Sequence, residues 1–236
     1  MSDEKFLETY DATQFDRPSV AVDVALFTVA DGVLRALVVE RTEPPQRGSW
    51  ALPGVFVGLD ESLEDAARRA LETKAGVGEV FLEQLYTFGA PTRDPRTRVI
   101  SVTYYALVDP ERLADAELRR VRVPWDGESG GAVEVMSASG EPVPLAFDHA
   151  EILGQAVKRL RGKLDYSPIG FQLLPERFTL RRLQDVHETI LGKAVNKDSF
   201  RRRMLASGQL EPTGEREGDV EHRPAELYRF THDSAV

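Results

Sequence analysis

Arg69-Ala70-Leu71-Glu72-Thr73-Lys74-Ala75-Gly76-Val77 decides how this chain is read, because of what its helical spacing sets on one face. Upstream stand Glu61 and the segments Trp50-Ala-Leu-Pro-Gly54 and Phe56-Val57-Gly58. Spacings of three and four put positions 70, 73 and 74 on one helix face. A divalent cation there would need oxygen ligands at short range. Ala70 offers none, Thr73 a weak neutral one, and Lys74 brings a positive charge. The Coulomb sign is therefore inverted where metal-assisted hydrolysis would need it. Taken alone, residues 61–76 also suit a plain amphipathic helix with acidic residues near its start.

In register, this stretch resembles the Nudix box: Gly, five residues, Glu, seven residues, then Arg-Glu-apolar-x-Glu-Glu-x-Gly-apolar. Glu61, Arg69, Leu71, Gly76 and Val77 match; Val55 replaces the opening Gly, and Ala70, Thr73 and Lys74 replace the three helical Glu. The resemblance implies a mixed sheet covered on both faces by helices, an α/β/α sandwich. The substitutions imply binding without hydrolysis, with no catalytic residue, metal or cofactor expected.

The chain has 236 residues, 42% of them hydrophobic, which allows two small domains with packed cores. It contains no cysteine, so neither disulfides nor thiolate metal sites exist, and a reducing compartment is natural. No basic-then-apolar leader opens it and no run of about 18 apolar residues occurs, so a soluble cytoplasmic protein with no membrane partner is expected. The net charge of −9 is unevenly spread. Residues 1–147 hold 15 Lys and Arg against 25 Asp and Glu; residues 148–236 hold 15 against 14. The usual charge test for a nucleic-acid binder applies to each domain, not to the whole.

Ser19 to Thr28 and Val33 to Glu40 read as strands joined by Ala30-Asp31-Gly32, where Asp-Gly tolerates positive φ. Val80 to Phe88 and Val99 to Val108 read as further strands. Residues 124–144, with Pro124, Gly127, Gly130, Gly131, Gly140, Pro142 and Pro144, have loop composition. Asp148, a candidate N-cap, opens an amphipathic helix to about Lys163. The expected organisation is an effector-binding domain over 1–147, a linker helix over 148–163 and a second domain over 164–236.

In that second domain, Thr179 caps a helix to Gly192 with Leu180, Leu183, Val186, Ile190 and Leu191 as its apolar stripe. A second helix follows Asn196 to Ser207, and Leu210 to Phe230 reads as a hairpin. Two helices, a short turn and a hairpin make a winged helix-turn-helix. With residues advancing about 100° each, Phe200, Met204 and Leu205 define the packed side, and Arg202, Arg203 and Ser199 point away from it. Arg201 sits on the flank. Lys197 and the hairpin residues Arg216, His222 and Arg223 add cations and a donor. A solvated arginine face is the plain alternative, and the hairpin tip shifts the reading to DNA binding.

Tyr166-Ser-Pro-Ile-Gly-Phe-Gln-Leu-Leu-Pro-Glu-Arg-Phe-Thr-Leu, Phe200-Arg-Arg-Arg-Met-Leu, Leu210-Glu-Pro-Thr-Gly and Arg223-Pro-Ala-Glu-Leu-Tyr-Arg-Phe230 resemble the C-terminal domain of the Nudix-related transcriptional regulators, the NrtR family. That resemblance implies a homodimeric repressor of NAD biosynthesis or salvage genes, sensing ADP-ribose or a related nucleotide and binding a palindromic operator. Arg41, Arg47, Trp50, Arg96 and Arg98 are the effector-binding candidates, since cations suit a diphosphate and an aromatic ring can stack on a base. His149, at a helix start, reads as a structural or capping partner. Two alternatives stay open: an active ADP-ribose pyrophosphatase using Glu61, Glu64, Asp65 or Glu72 as displaced ligands, and a sugar-responsive regulator.

Overall fold

Ser19–Ala30 (β1) is a near-continuous run of β-branched and aliphatic residues, as a strand buried on both faces requires, and it lies at the centre of the main sheet. The computed structural model describes residues 2–78, 80–113, 116–164, 167–218 and 223–231. Along them follow α1 (Asp3–Thr9), β1, β2 (Val33–Leu37), β3 (Val39–Glu40), β4 (Trp50–Ala51), β5 (Gly54–Phe56), α2 (Leu63–Ala75), β6 (Glu83–Phe88), β7 (Val99–Leu107), β8 (Leu118–Arg122), β9 (Glu134–Met136) and β10 (Pro142–Val143). Then come α3 (His149–Lys163), β11 (Phe178–Thr179), α4 (Leu180–Leu191), α5 (Lys197–Ala206), β12 (Leu210–Arg216) and β13 (Glu226–Phe230).

The main sheet runs β10-β9-β8-β2-β1-β7-β6, with β5 also on β1. β1 and β7 are parallel, with Ser19 opposite Val99 and Phe27 opposite Leu107; the other pairs are antiparallel. Period-two alternation sends Val22, Val24 and Leu26 to α2, where Ala66, Ala67, Ala70 and Leu71 meet them. Ala25 and Phe27 go to the other face, against Ile152, Leu153, Ala156, Val157 and Leu160 of α3. The sandwich read from the sequence is the sandwich formed.

Three expectations change, the first being strand bounds. The strand expected over 33–40 is interrupted at Val38, and the one expected from Val80 starts at Glu83. Residues 124–144 are not all loop: β9 and β10 extend the sheet, with Val121 opposite Val135 and Pro142 opposite Met136. Glycine and proline density hid two strands of three and two residues, too short to show a period.

The third change is larger. The expected linker helix is a core element, because one hydrophobic cluster runs from Phe27 and Val135 through α3 to Leu183, Ile190 and Phe200. Arg161 ties the parts with polar bonds: Nε donates to the Ile190 carbonyl at 2.8 Å and Nη1 to the carbonyls of Gly127 and Trp125 at 2.8 and 3.2 Å. Its guanidinium also lies 4.8 Å from the Trp125 ring centroid. Segment 124–131 thus clamps α3 against α4.

The C-terminal unit is the winged helix-turn-helix expected. α4 starts on Thr179, whose side chain accepts from Arg182 N–H, and ends on Gly192 at φ 69°. Asn196 caps α5 by accepting from Ser199 N–H. β12 and β13 form the wing, and β11 adds a third strand through Phe178 opposite Tyr228.

A Cβ at Gly154 would lie 1.8 Å from the Gly131 carbonyl oxygen, so α3 and the 124–131 segment approach only over a glycine. At Gly162 a Cβ would meet only the mobile end of Glu128, at 3.1 Å. In urea denaturation, Gly154→Ala is expected to lose about 1–3 kcal/mol by forced displacement. Gly162→Ala should be neutral or gain up to about 1 kcal/mol of helix propensity.

Candidate functional site: a cationic cleft and a basic helix face

Gly54 turns β5 tightly past β1, and a Cβ there would lie 2.2 Å from Asp23 Oδ1. This close approach opens a cleft of about 470 Å³ whose lining includes Asp23, Arg41, Phe56, Arg69, Lys74, Arg93, Asp94, Arg96, Phe147 and His149. Five of these are cations and two are carboxylates, so the cleft is an anion site in electrostatic terms.

The four arginines are held by hydrogen bonds. Arg93, with 5% of its side chain exposed, donates Nε and Nη2 to the two carboxylate oxygens of Asp148 at 2.8 and 2.7 Å, and reaches Asp23 at 3.4 Å. Asp148 does occupy the N-cap position of α3, but its side chain makes no capping bond. The buried guanidinium takes both oxygens, since an unpaired buried charge costs more than an uncapped helix end. Arg96 pairs with Asp94 at 2.7 and 3.0 Å, and this hydrogen bonding holds its pKa above the ordinary value. Arg41 donates to the Pro45 carbonyl at 2.8 Å; burial first, then the Arg96 charge, lowers its pKa. Arg41 and Arg96 sit 4.9 and 5.9 Å from the Phe147 ring centroid. Phe147 itself has φ 52°, a left-handed conformation rare for a bulky residue, and its N–H donates to Gln46 Oε1 at 2.8 Å.

The Nudix metal function does not fit this donor set. Ala70 is fully buried against the sheet, the Thr73 hydroxyl donates to the Arg69 carbonyl at 2.6 Å, and Lys74 lines the cleft. Glu61 accepts from Arg69 at 2.5 and 3.0 Å and from Gly58 N–H at 2.6 Å. The Arg69 bond first, then the Gly58 bond, holds its carboxyl below the usual range. Among the described residues, no three of His, Cys, Asp and Glu cluster as metal ligands.

Of the five effector candidates, Arg41 and Arg96 line this cleft. Arg47 lies on an exposed loop, donating to the Thr42 carbonyl at 2.6 Å, and Arg98 braces the 89–99 turn through the Ala90 and Val99 carbonyls. The Trp50 ring packs toward the core under Arg119, at 3.7 Å. Arg69, Lys74, Arg93, Phe56 and Phe147 are the lining residues not singled out as binders. Lys74 and Arg69 could have been found from the box itself, because an inverted charge on the ligand face is already an anion signal. Only the fold brings Arg93 to Asp148, 55 residues away.

The basic helix face stands on the Phe200 and Met204 side chains, buried beneath α5, with Phe200 5.0 Å from the His187 ring. Lys197, Ser199, Arg201, Arg202 and Arg203 are all exposed. Arg201 keeps the flank position of the helical wheel, and Arg203 departs from its outward one. Arg201 lines a groove of about 570 Å³ between α4, α5 and the wing, with Arg181, Arg182 and Lys197. Arg203 swings back so that its guanidinium lies 5.7 Å from the Phe200 ring, on the opposite flank. Long side chains follow aromatic faces that an angular plot of Cα positions cannot show. Arg216 and Arg223 are exposed on the wing; His222 lies outside the described residues. Arg181 and Arg182 are cations of this face that the sequence reading passed over, because both lie at the start of a helix taken as packing.

A Nudix fold with its metal face replaced, joined to a winged helix, defines a class of ligand-responsive DNA-binding proteins. Residues 17–129 match the NUDIX domain and residues 170–230 the NrtR DNA-binding winged helix domain. The ADPR responsive transcriptional repressor NtrR of Acinetobacter baylyi is 37% identical over 231 residues, 97% of this chain and 88% of that protein. Shewanella oneidensis NrtR in complex with a 27mer DNA superposes with a TM-score of 0.74 at 35% identity, covering 90% of this chain and 93% of that one. The NUDIX domain of the same Shewanella protein, complexed with ADP ribose, gives 0.51 at 33% identity over 68% of this chain and 99% of that one. The chain belongs to the NrtR family.

His149 is buried, accepts from Leu52 N–H through Nδ1 at 2.9 Å, and so carries its proton on Nε2, 3.6 Å from Asp23. Burial lowers its pKa below the ordinary value. The unfolded chain therefore binds a proton first as pH falls, and stability declines below about pH 6.5, by at most about 1.4 kcal/mol per unit. Urea titrations at pH 7.5 and 5.0 should show that decline, and His149→Gln should remove part of it.

Proposed function

We propose that this protein is a DNA-binding repressor of NAD metabolism genes, whose Nudix domain binds ADP-ribose or a related nucleotide and thereby alters operator binding. The observation that carries the reading is the cleft: Arg41, Arg69, Arg93 and Arg96 line it together with Lys74, which stands at a carboxylate position of the Nudix box. A diphosphate is a dianion, and charge-assisted, forked guanidinium contacts suit it. Phe56 and Phe147 offer apolar surface to a base or ribose. The names of the Acinetobacter and Shewanella relatives, one ADPR-responsive and one solved with ADP ribose, support the same ligand.

Hydrolysis is not part of the proposal. Lys74 repels the Mg²⁺ that would polarise a phosphoryl oxygen, and Ala70 gives it no ligand. With saturating Mg²⁺ or Mn²⁺, ADP-ribose should be turned over negligibly; a rate near the enzyme median of about 10 per second would overturn this reading. Arg96→Ala should weaken ADP-ribose about tenfold in calorimetry, the loss of one charged contact. If arabinose rather than ADP-ribose raises thermal stability, the sugar-responsive reading replaces it.

The DNA side is proposed as a two-fold dimer on a palindromic operator, with Arg202 and Ser199 toward base edges and Lys197, Arg201, Arg216 and Arg223 toward phosphates. α3 links the two sites, running from Asp148 at the cleft to Arg161 at α4. Arg202→Ala should cost about 1–3 kcal/mol and relax preference at one base pair, whereas Arg223→Ala should weaken all sequences and lower the salt slope by about one. Linkage requires operator DNA to weaken ADP-ribose by the factor with which ADP-ribose weakens operator. Equal ADP-ribose affinities with and without operator would rule out coupling.

A further inference from the structure

Helix α2 covers its face of the sheet over β1 and β5, and past Leu37 and Leu118 at the edge of its cluster the same face of β2, β8 and β9 is open. That side is a groove of about 580 Å³, with Arg35, Arg120 and Arg122 above an apolar floor of Val33, Leu118 and Met136. Arg35 and Arg120 lie directly opposite each other on β2 and β8, a cross-strand placement that like charges disfavour. Arg122 is paired with Glu134, and Arg119 beside them with Glu117. Among the described residues, Arg35 and Arg120 have no hydrogen bond or ion pair, and Arg35 Nε is buried without a partner. In a domain with 25 acidic against 15 basic residues, carboxylates were abundant, yet Glu117 and Glu134 answer Arg119 and Arg122 and none bonds Arg35 or Arg120.

The opposite mismatch sits at residues 2–17. Helix α1 buries no residue, and Phe6, Leu7, Tyr10 and Phe15 are 48, 70, 51 and 63% exposed. Seven helical residues fall well short of the roughly 12–15 that hold a helix unaided. The segment carries five carboxylates, Asp3, Glu4, Glu8, Asp11 and Asp16, against Lys5 and Arg17. It is acidic where the groove is basic, and apolar where the groove floor is apolar.

We infer that the 2–17 arm of one copy docks in the β2–β8–β9 groove of a second copy, with its carboxylates on Arg35 and Arg120 and its apolar side chains on Val33, Leu118 and Met136. The arm leaves β1 at Ser19, while Arg35 lies opposite Thr28 on the same strand, nine residues or about 30 Å away. Within this chain the arm turns at Ala12–Gln14 and its aromatic rings stay in solvent, so its own groove remains open. Reciprocal exchange of two arms closes a two-fold dimer with no surface left over. The pairing accompanies the dimer proposed on DNA, but its test reads arm and groove, not operator binding.

The absence of cysteine makes cross-linking clean. Leu7→Cys protein mixed with Val33→Cys protein under mild oxidation should give a disulfide-linked heterodimer. Its yield should far exceed that of Leu7→Cys mixed with Thr213→Cys, an unrelated wing position. Equal yields would overturn the proposal, and so would a Leu7→Cys/Val33→Cys double variant that closes its disulfide within one chain. Arg35→Glu with Arg120→Glu on the groove protein should cut the yield at least tenfold. Glu4→Arg with Glu8→Arg on the arm protein should restore it, which loss of folding could not. Failure of that rescue, in proteins with unchanged circular dichroism, counts against the docking. Protection of Val33→Cys from alkylation by inorganic pyrophosphate, and not by an arm peptide, would assign the groove to a phosphate ligand instead.

Discussion

The Arg93 guanidinium, buried between Asp148 and Asp23, is the constraint around which the cationic cleft is arranged. One charge joins three elements: the 89–98 turn, strand β1 and the start of α3. Desolvating it is affordable only because the Asp148 fork and Asp23 answer it, and removing either partner from such a buried pair costs on the order of 3–5 kcal/mol. Asp23 is itself fixed, accepting from Ser101 Oγ at 2.5 Å and facing His149 Nε2. Because Asp148 is spent on Arg93, the first turn of α3 is positioned by the cleft and not by a local cap. Cleft geometry and helix position are therefore one structural variable.

The helix, about 22 Å long, runs from the cleft to the start of the DNA-binding unit. Its apolar stripe is wide enough to serve the sheet and α4 together, and at its far end Arg161 binds the Ile190 carbonyl where α4 has run out of helical partners. Burial lowers the Arg161 pKa, while three carbonyls and the Trp125 face satisfy its donors. The 124–144 segment gains a purpose from this contact: it presents the carbonyls that make a buried arginine tolerable. The wing and α5 then hang on α4 through Phe200, so the exposed arginines inherit their orientation from a packed aromatic and not from their own interactions.

The Nudix frame shows how function can change while a core does not. Leu71, Gly76 and Val77 are retained because they pack or turn the chain: Leu71 is fully buried and Gly76 ends α2 at φ 64°. Arg69 and Glu61 are retained as a brace between the helix and the β5 loop. The positions that differ, Ala70, Thr73 and Lys74, are those whose carboxylates would have served a metal. Their replacement by a small buried residue, a hydroxyl turned to the backbone and a cation changes the sign of the cleft and leaves its walls.

The sequence by itself determined the long strands β1, β2, β6 and β7, the box helix, the two helices of the DNA-binding unit and the wing, because period, caps and turn residues are local properties; the short strands β4, β5, β8, β9 and β10 escaped it. It also determined the loss of the metal face, since residue type and spacing suffice for that. Tertiary structure alone decided which cations share a cleft: Arg93 and Asp148 lie 55 residues apart, and no pattern in either neighbourhood marks the other. It decided that Trp50 faces Arg119 and not the cleft, that Arg203 leans back over Phe200, and that a helix legible as a linker is shared core. Each of these depends on which distant surface a side chain meets, and only the closed fold supplies that.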